Sequence, residues 1–286
     1  MLIANRGMTT HHWLLSLCAL FASACAFAAP ARSTSEPLVI GETFRIDSKV
    51  LAETRRINVY LPPGYAGSTA RMPVMVMPDG GLAEDFLHVA GLIEVSVGNG
   101  TMRPFILVGI ENTERRRDMT GPTENPEDRK IAPRVGGSAA FRKFIRDELM
   151  PEVKRRYRTT DETAVVGESL AGLFVIETFF LEPDLFDTYI AIDPSLWWNN
   201  RKLVDGAATS LYARPRLAKS LWFATSEEKG TQEPAQHLAD VLRADTASGI
   251  RWHYEKMPEE KHATIYHPAA LKAFRMMLKP DASDAK

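Results

Sequence analysis

The chain has 286 residues, of which 45% are hydrophobic and 25% are charged, and its formal net charge is −1 at pH 7. This length and composition are typical of a globular protein with room for one large α/β domain or two small ones. The balanced charge provides no basic surplus for binding nucleic acid, so we expect no nucleic-acid partner. Composition leaves the oligomeric state open.

The first 28 residues have the pattern of a secretory signal peptide. Arg6 supplies a positive charge, an apolar run extends from Trp13 to Phe27, and Ala26-Phe27-Ala28 forms a small-residue cleavage site. The run is too short and too rich in alanine for a membrane span, so we expect no stable membrane insertion after cleavage. These features predict a periplasmic or secreted protein, and a lipoprotein processed at Cys25 is the alternative.

Cysteine usage is consistent with this reading. Both cysteines, Cys18 and Cys25, lie inside the predicted signal peptide, so a chain cleaved after Ala28 carries none. We therefore expect neither disulfides nor cysteine-based catalysis. The sequence contains no recognisable metal-ligand or phosphate-binding motif, and we predict no metal and no cofactor.

After a flexible leader at residues 29–37, residues 38–280 are predicted to form one domain, with a polar tail at 281–286. Alternating apolar and polar residues predict an antiparallel N-terminal strand pair, Leu38 to Ile46 and Arg56 to Leu61. Nearly continuous apolar runs are typical of parallel strands buried on both faces. These runs are Met72 to Met77, Pro104 to Ile110, Thr163 to Val166, Tyr189 to Ile192 and Ser220 to Ala224.

Helical patterns alternate with these strands. They cover Gly137 to Arg156, Ser169 to Leu181, Glu233 to Ala244 and His267 to Leu278. The alternation predicts a single α/β domain with a mostly parallel central sheet and helices on both faces. In such domains ligands bind at the carboxyl ends of the strands. The charged segment from Glu114 to Gly136 shows no periodicity, and we expect a long loop that overhangs the site.

Residues 167–172, Gly-Glu-Ser-Leu-Ala-Gly, carry the most specific chemical signal. A β-rich run enters this stretch and an apolar helical run leaves it, as in the strand–turn–helix that exposes a nucleophilic serine. The sequence therefore predicts that Ser169 is a catalytic nucleophile. Ala171 stands where a glycine is usual and adds only a methyl group. The alternative is a Gly/Ser turn that opens an ordinary helix.

A nucleophilic serine needs a histidine base. A further strand pattern runs from Arg251 to Lys256, and His262 lies in the loop between it and the last predicted helix, where this fold carries its base. We expect His262 to take that role. The other histidines after Ser169 are expected to be surface or core residues; they are His237, His253 and His267.

The carboxylate that would orient the base is less clearly marked. Glu227 follows the strand that ends at Thr225 and is the leading candidate, with Glu228 beside it as an alternative. Asp193, at the end of the preceding strand, is a further alternative, and a serine–histidine pair without an acid also stays open.

Two backbone N–H groups are expected to hold the developing oxyanion. One belongs to Leu170, and the other belongs to the loop Asp79-Gly80-Gly81 after an upstream strand. Trp197 and Trp198 follow a core strand and are candidates for lining a substrate pocket. Core packing beneath a loop is an equal alternative for this aromatic pair.

Three longer runs resemble the putative-esterase family of α/β hydrolases, which includes ferric-siderophore esterases, esterase D, feruloyl esterases and mycolyltransferases. Residues 76–80 (Val-Met-Pro-Asp-Gly) resemble that family's strand and oxyanion loop. Residues 108–120 resemble a VGI-NT-R-RD-T run of its siderophore-esterase-like branch. Residues 191–198 (Ala-Ile-Asp-Pro-Ser-Leu-Trp-Trp) resemble an AISPSLWW run of the same branch. The resemblance extends over residues 40–279.

The resemblance implies that Ser169 is the nucleophile, His262 the base, and Gly80 and Leu170 the oxyanion donors. It also implies that Arg117 and Asp118 form or shape the substrate-binding site through a buried ion pair.

Two departures from the family pattern matter. Ala171 replaces a glycine, and Asp193 replaces a serine. The second departure puts a carboxylate near the site, so the choice of acid stays open.

These features favour an exported serine esterase that hydrolyses a small-molecule carboxylic ester through an acyl-enzyme. Siderophore and carbohydrate esters are both candidate substrates, because the fold does not specify the ester. An acyltransferase of the same fold is one alternative. A non-catalytic binding protein is another, favoured by Ala171 and by the uncertain acid.

Overall fold

A computed structural model describes residues 35–214 and 216–280. The predicted signal peptide, most of the predicted leader and the polar tail lie outside the described residues. Residues 35–38 have no regular secondary structure, and contacts group the chain from Val39 onward into a compact unit of its own. Within the described ranges, no helix is both long and apolar enough to cross a membrane.

The described residues form one eight-stranded sheet. Its strands are β1 (Glu42–Ser48), β2 (Glu53–Tyr60), β3 (Met72–Pro78), β4 (Ile106–Ile110), β5 (Thr159–Glu168), β6 (Thr188–Ile192), β7 (Ser220–Thr225) and β8 (Arg251–Lys256). Their order in space is β1-β2-β4-β3-β5-β6-β7-β8. The pairs β1–β2 and β2–β4 are antiparallel and all later pairs are parallel.

Helices cover both faces of this sheet. They are α1 (Phe86–Gly98), α2 (Arg115–Asp118), α3 (Pro126–Lys130), α4 (Ser138–Phe144), α5 (Met150–Arg156), α6 (Leu170–Leu181), α7 (Lys202–Asp205), α8 (Ala207–Tyr212), α9 (Lys229–Ala244) and α10 (Tyr266–Met277). Successive residues of β3 point to opposite faces, as strand geometry requires. Val74 and Val76 pack in the core beneath α4, α5, α6 and α9. Met75 and Met77 pack in a second core beneath α1 and α10.

The predicted α/β fold class is confirmed, with its mostly parallel sheet and antiparallel N-terminal strands. Helix α1 was not predicted from the sequence, because apolar side chains occur around most of this helix and Gly91 interrupts the pattern. Only part of its surface faces the core, since Leu87 and Val95 remain about half exposed. The apolar residues of α1 therefore show little of the 3.6-residue spacing by which a helix is predicted from sequence.

Two predicted segments differ locally from expectation. The helix predicted at residues 137–156 contains a π-helical turn at Ile145–Leu149, just before Pro151. Proline has no N–H to donate within a helix, so hydrogen bonding shifts there. The segment from Glu114 to Gly136 is not wholly irregular, because it contains α2 and α3. The Asp128 carboxylate in α3 accepts hydrogen bonds from Thr123 Oγ1 (2.6 Å) and the Asn199 N–H (2.8 Å).

Candidate active site

The candidate site lies where the carboxyl ends of neighbouring strands meet. Strands β3, β5, β6 and β7 are adjacent in the sheet and parallel. Each of these strands is followed directly by a polar residue: Asp79, Ser169, Asp193 and Ser226, respectively. The order and common direction of the strands bring these four residues together at the carboxyl end of the sheet. α/β proteins bind ligands at this end.

Ser169 lies at a sharp turn between β5 and α6. Its φ of 60° and ψ of −119° are strained for a residue with a side chain. Gly167 makes the turn sterically possible, because a Cβ there would lie 2.7 Å from the Cβ of Ala171. The buried Ala171 methyl thus fits the elbow, since residue 167 has no side chain. The expectation that the turn tolerates alanine at 171 agrees with this packing.

A chain of hydrogen bonds joins Ser169, His262 and Asp193. His262 Nε2 lies 3.1 Å from Ser169 Oγ, and His262 Nδ1 lies 2.7 Å from Asp193 Oδ2. An ionised carboxylate only accepts hydrogen bonds, so Nδ1 must donate to Asp193. In the neutral ring Nε2 is then the acceptor, and it can receive the Ser169 hydroxyl proton.

The Asp193 carboxylate is fully buried yet well provided with donors. Burial alone would raise its pKa, but hydrogen bonds from His262, Ser226 and Thr231 hold the pKa below its ordinary value. Ser226 contributes its N–H to Oδ1 at 3.0 Å and its hydroxyl to Oδ2 at 2.8 Å. Asp193 is therefore held as a carboxylate that faces the imidazole.

The leading acid candidate, Glu227, is not at the histidine. Its side chain is exposed and its backbone N–H donates to Glu260 O at 2.9 Å, while Glu228 is also exposed. Ser226 is the residue after β7 that turns inward, toward the end of β6. The geometry thus favours the alternative Asp193 over Glu227 and Glu228, because β6 and β7 end side by side and Ser226, the residue after β7, donates to the Asp193 carboxylate.

The three proposed oxyanion donors differ in availability. Gly80 N–H donates to Ile110 O at 2.9 Å and extends the pairing of β3 with β4, so Gly80 does not fit the donor role expected of it. Gly81 N–H donates to Glu84 Oε2 at 2.6 Å, a side-chain contact that a ligand oxygen could replace. Leu170 is the first residue of α6, where the N–H needs no partner within the helix.

Arg117 and Asp118 form the expected buried ion pair. Arg117 Nε lies 2.7 Å from Asp118 Oδ1, and the fully buried Arg55 contacts the other oxygen of Asp118. Arg117 also contacts Glu53 at 2.7 Å. Asp118 is 1% exposed, so its carboxylate can contact no substrate and acts by holding α2 against β2. Direct substrate binding by Asp118 is therefore a prediction that the geometry does not support.

Changing Asp118 to asparagine is expected to lower the free energy of unfolding by about 3 kcal/mol or more. The substitution keeps the shape of the side chain but removes the buried charge that Arg55 and Arg117 share, and the buried guanidinium of Arg55 is left with Glu53, which also pairs with Arg117. Urea denaturation followed by circular dichroism measures the effect. Asp161→Asn is the matched control, since Asp161 is a fully exposed partner of Lys154. Equal denaturation midpoints for the two variants would contradict the structural role.

The two tryptophans differ in environment. Trp198 is buried and its Nε1–H donates to Gly121 O at 3.0 Å, which fixes the loop that follows α2. Trp198 therefore packs in the core beneath a loop, which was the alternative expected for this pair. Trp197 is 37% exposed and lies in the loop whose Ser195 N–H donates to Ser169 O at 3.0 Å. Of the two, only Trp197 is exposed enough to contact a ligand.

Ser226 and Thr231, which hydrogen-bond to the acid, and Glu168, a charge beside Ser169, were not predicted from the sequence. Only its position directly after β7 could have identified Ser226, because a serine beside two glutamates gives no chemical sign that it donates to a carboxylate. Among residues 35–214 and 216–280, no group of three His, Cys, Asp or Glu side chains is placed to hold a metal ion.

Known proteins resemble this chain in sequence and fold. The putative esterase family model matches residues 48–268. Ferri-bacillibactin esterase BesA of Bacillus subtilis is 30% identical over 201 residues, covering 65% of this chain and 67% of that protein. Siderophore enterobactin esterase of Emericella nidulans is 36% identical over 127 residues, covering 39% of this chain and only 42% of that protein.

A solved structure supports the same assignment. An IroE-like serine hydrolase from Shewanella oneidensis matches with a TM-score of 0.75 and 28% identity, over 83% of this chain and 80% of that one. The resemblance noted in the sequence is thereby confirmed. The chain belongs to the putative-esterase family, has the fold of α/β serine hydrolases, and is a carboxylic ester hydrolase.

Proposed function

We propose that the protein cleaves its ester through an acyl-enzyme formed on Ser169. The observation that carries the proposal is the hydrogen-bonded chain from Ser169 Oγ through His262 to the buried Asp193. This arrangement has the geometry of a catalytic triad, in which a base faces the nucleophile and a carboxylate orients the base. Asp193, rather than Glu227 or Glu228, is the proposed acid.

Each group has a defined role in this proposal. Ser169 Oγ attacks the ester carbonyl while His262 Nε2 takes the hydroxyl proton, and Asp193 stabilises the resulting imidazolium. The carbonyl oxygen becomes an oxyanion that accepts hydrogen bonds from the N–H groups of Leu170 and Gly81, displacing Glu84 from the latter. His262 then gives its proton to the leaving alcohol. Water, activated by the same imidazole, releases the acid.

The reaction is expected to follow the protonation of His262. The hydrogen bond with Asp193 raises the pKa of His262, burial opposes this rise, and the charge of Glu168 adds to it. Because only the neutral ring accepts a proton, kcat/KM should increase with pH through an apparent pKa above about 6.5. A pH–rate profile measures this limb. A limb centred below the ordinary histidine value would contradict the proposed environment of His262.

We infer that the ester is a siderophore. The relatives that support this inference are named as esterases of ferri-bacillibactin and enterobactin. The test is hydrolysis of ferric and iron-free forms of these two compounds, beside a feruloyl sugar ester and p-nitrophenyl butyrate, with products identified by mass spectrometry. Turnover of the siderophores at least tenfold faster than the other esters supports the inference. Equal or slower turnover would assign the enzyme to another ester.

We also propose that the protein is exported, on the strength of residues 1–28. N-terminal sequencing of the protein recovered from the periplasm or medium should begin at Ala29. A lipid-modified Cys25 would favour the lipoprotein alternative, and recovery of the uncleaved chain in the cytoplasm would contradict export.

A further inference from the structure

Ser226 is the fully buried residue that follows β7, and each of its polar groups has a partner. Its N–H and its hydroxyl donate to the two different oxygens of the Asp193 carboxylate, at 3.0 and 2.8 Å. Its carbonyl oxygen accepts a hydrogen bond of 2.7 Å from Gln232 Nε2 in α9. Ser226 is thus held by α9 on one side and holds the proposed catalytic acid on the other.

The proton of the Ser226 hydroxyl is directed at Asp193 by the other contact of this oxygen. A serine hydroxyl can both donate and accept, whereas an ionised carboxylate only accepts. The Glu228 N–H donates to Ser226 Oγ at 3.3 Å, which leaves the hydroxyl proton for Asp193 Oδ2. The hydroxyl is therefore a donor to the acid, and a hydrogen bond to a charged acceptor is the stronger kind.

The two contacts from Ser226 determine which way the Asp193 carboxylate faces. Rotation about the bond to the carboxylate is broad in aspartate, so the side chain by itself does not fix the positions of its oxygens. The N–H of Ser226 holds Oδ1 and its hydroxyl holds Oδ2, which then lies 2.7 Å from His262 Nδ1. Asp193 also has an uncommon φ of 42°, and such strain persists only where the surroundings hold a residue in place.

We propose that Ser226 is a positioning residue for ester hydrolysis, whose hydroxyl keeps Asp193 Oδ2 directed at His262 Nδ1. Because Ser226 is fully buried, it acts through Asp193 and not on the substrate. The inference rests on the proposed triad, but it adds a residue that the triad chemistry does not require. Without the hydroxyl, Oδ2 loses the contact that fixes its direction, and the carboxylate should face the imidazole for a smaller share of the time.

Ser226→Ala removes the hydroxyl and keeps the backbone N–H, so this variant tests the second contact alone. We expect kcat to fall about tenfold or more with little change in KM, because the imidazolium formed in the transition state loses a well-directed counter-charge. Hydrolysis of p-nitrophenyl butyrate measures both constants, normalised to the fraction of enzyme that a fluorophosphonate labels. This normalisation removes the contribution of misfolded protein.

Ser220→Ala is the matched control. It removes a buried hydroxyl from the other end of β7, where the hydroxyl oxygen accepts a hydrogen bond from Arg251 Nη2 at 2.8 Å. Its kcat should stay within about twofold of wild type, and its pH–rate profile should be unchanged.

The pH–rate profile separates positioning from a simple effect on charge. Asp193 raises the pKa of His262, so a carboxylate that faces the ring less often should move the limb in kcat/KM toward lower pH in Ser226→Ala. If the hydroxyl only draws charge from Oδ2, its removal should instead move the limb to higher pH and leave kcat unchanged. The other titratable groups that act on His262 or Asp193 stay in place in this variant; they are Glu168, Glu228 and Tyr254.

Ser226→Thr and Ser226→Val form a second pair, because the two new side chains have nearly the same shape and only threonine has a hydroxyl. Ser226→Thr should have a kcat several-fold above that of Ser226→Val. This comparison keeps the inference testable if the space left by alanine disturbs the loop. Wild-type kcat with an unshifted limb in Ser226→Ala, or equal kcat in the threonine and valine variants, would overturn the proposal.

A nuclear magnetic resonance titration separates this inference from the proposed acyl-enzyme chemistry. In a Ser169→Ala background no turnover is needed, and the Nδ1 proton of His262 reports its hydrogen bond with Asp193. A lower pKa of His262 and faster exchange of this proton on adding Ser226→Ala support positioning even if no ester is cleaved. Identical titrations with and without Ser226→Ala overturn it even if Ser169 is the nucleophile.

Discussion

Replacing Ser169 by alanine is expected to lower kcat for ester hydrolysis by about 10⁶-fold, the loss that follows when a triad nucleophile is removed. The variant should fold normally, because alanine has the same backbone restrictions as serine at φ 60°. Initial rates with p-nitrophenyl acetate measure the loss. Labelling of wild type by a fluorophosphonate, mapped to residue 169 by mass spectrometry, provides the second readout.

Ser210→Ala is the control for this substitution. Ser210 lies in α8, where its hydroxyl only contacts Gly206 O one helical turn away, and alanine suits a helix. The control should retain both the wild-type rate and the fluorophosphonate label. Hydrolysis at the wild-type rate by Ser169→Ala would mean that another group is the nucleophile.

Replacing Asp193 by asparagine is expected to lower kcat by about 10³ to 10⁴-fold. An asparagine amide can donate a hydrogen bond to His262 Nδ1, which favours the tautomer with its proton on Nε2. That nitrogen could then no longer accept the proton of Ser169. The imidazolium formed during the reaction would also lose its facing charge. The loss should appear in kcat, and the pH–rate limb should shift toward lower pH, because Asp193 raises the pKa of His262.

Glu227→Gln and Glu228→Gln are the matched controls for the acid. Each substitution removes one carboxylate within two residues of Ser226. Because both side chains are exposed, the rate of each variant should stay within about twofold of wild type. A large loss in Glu227→Gln with little change in Asp193→Asn would reverse the assignment. Near-wild-type rates in all three variants would indicate a serine–histidine pair without an acid.

The non-catalytic alternative loses much of its physical basis in this geometry. It drew on Ala171 and on the uncertain identity of the acid, but Ala171 packs against Gly167 without disturbing the elbow. Asp193 supplies a buried carboxylate to His262 with donors from Ser226 on its other side. Neither feature is needed to bind a ligand, so the activity tests on Ser169 and Asp193 address this alternative directly.

Local pattern was enough to predict most of the fold and part of the site. Apolar runs marked β3 to β7, and a Gly-flanked serine between a strand and a helix marked Ser169, because both signals depend only on neighbouring residues. Helix α1 escaped detection, since its apolar residues follow no clear stripe around the helix. The π-helical turn before Pro151 also depends on hydrogen bonding that a residue pattern does not reveal.

The sequence by itself determined the fold class, the family, and the choice of Ser169 and His262 as a candidate pair. Only the tertiary structure decided which carboxylate faces His262, which glycine N–H is bonded within the sheet, and that Asp118 is too deeply buried to contact a substrate. The reason is strand pairing: β6 and β7 end side by side, so that Ser226 donates to Asp193, and pairing of β3 with β4 ties Gly80 to Ile110. Such contacts join residues that are far apart in the chain, so the pattern of neighbouring residues does not predict them.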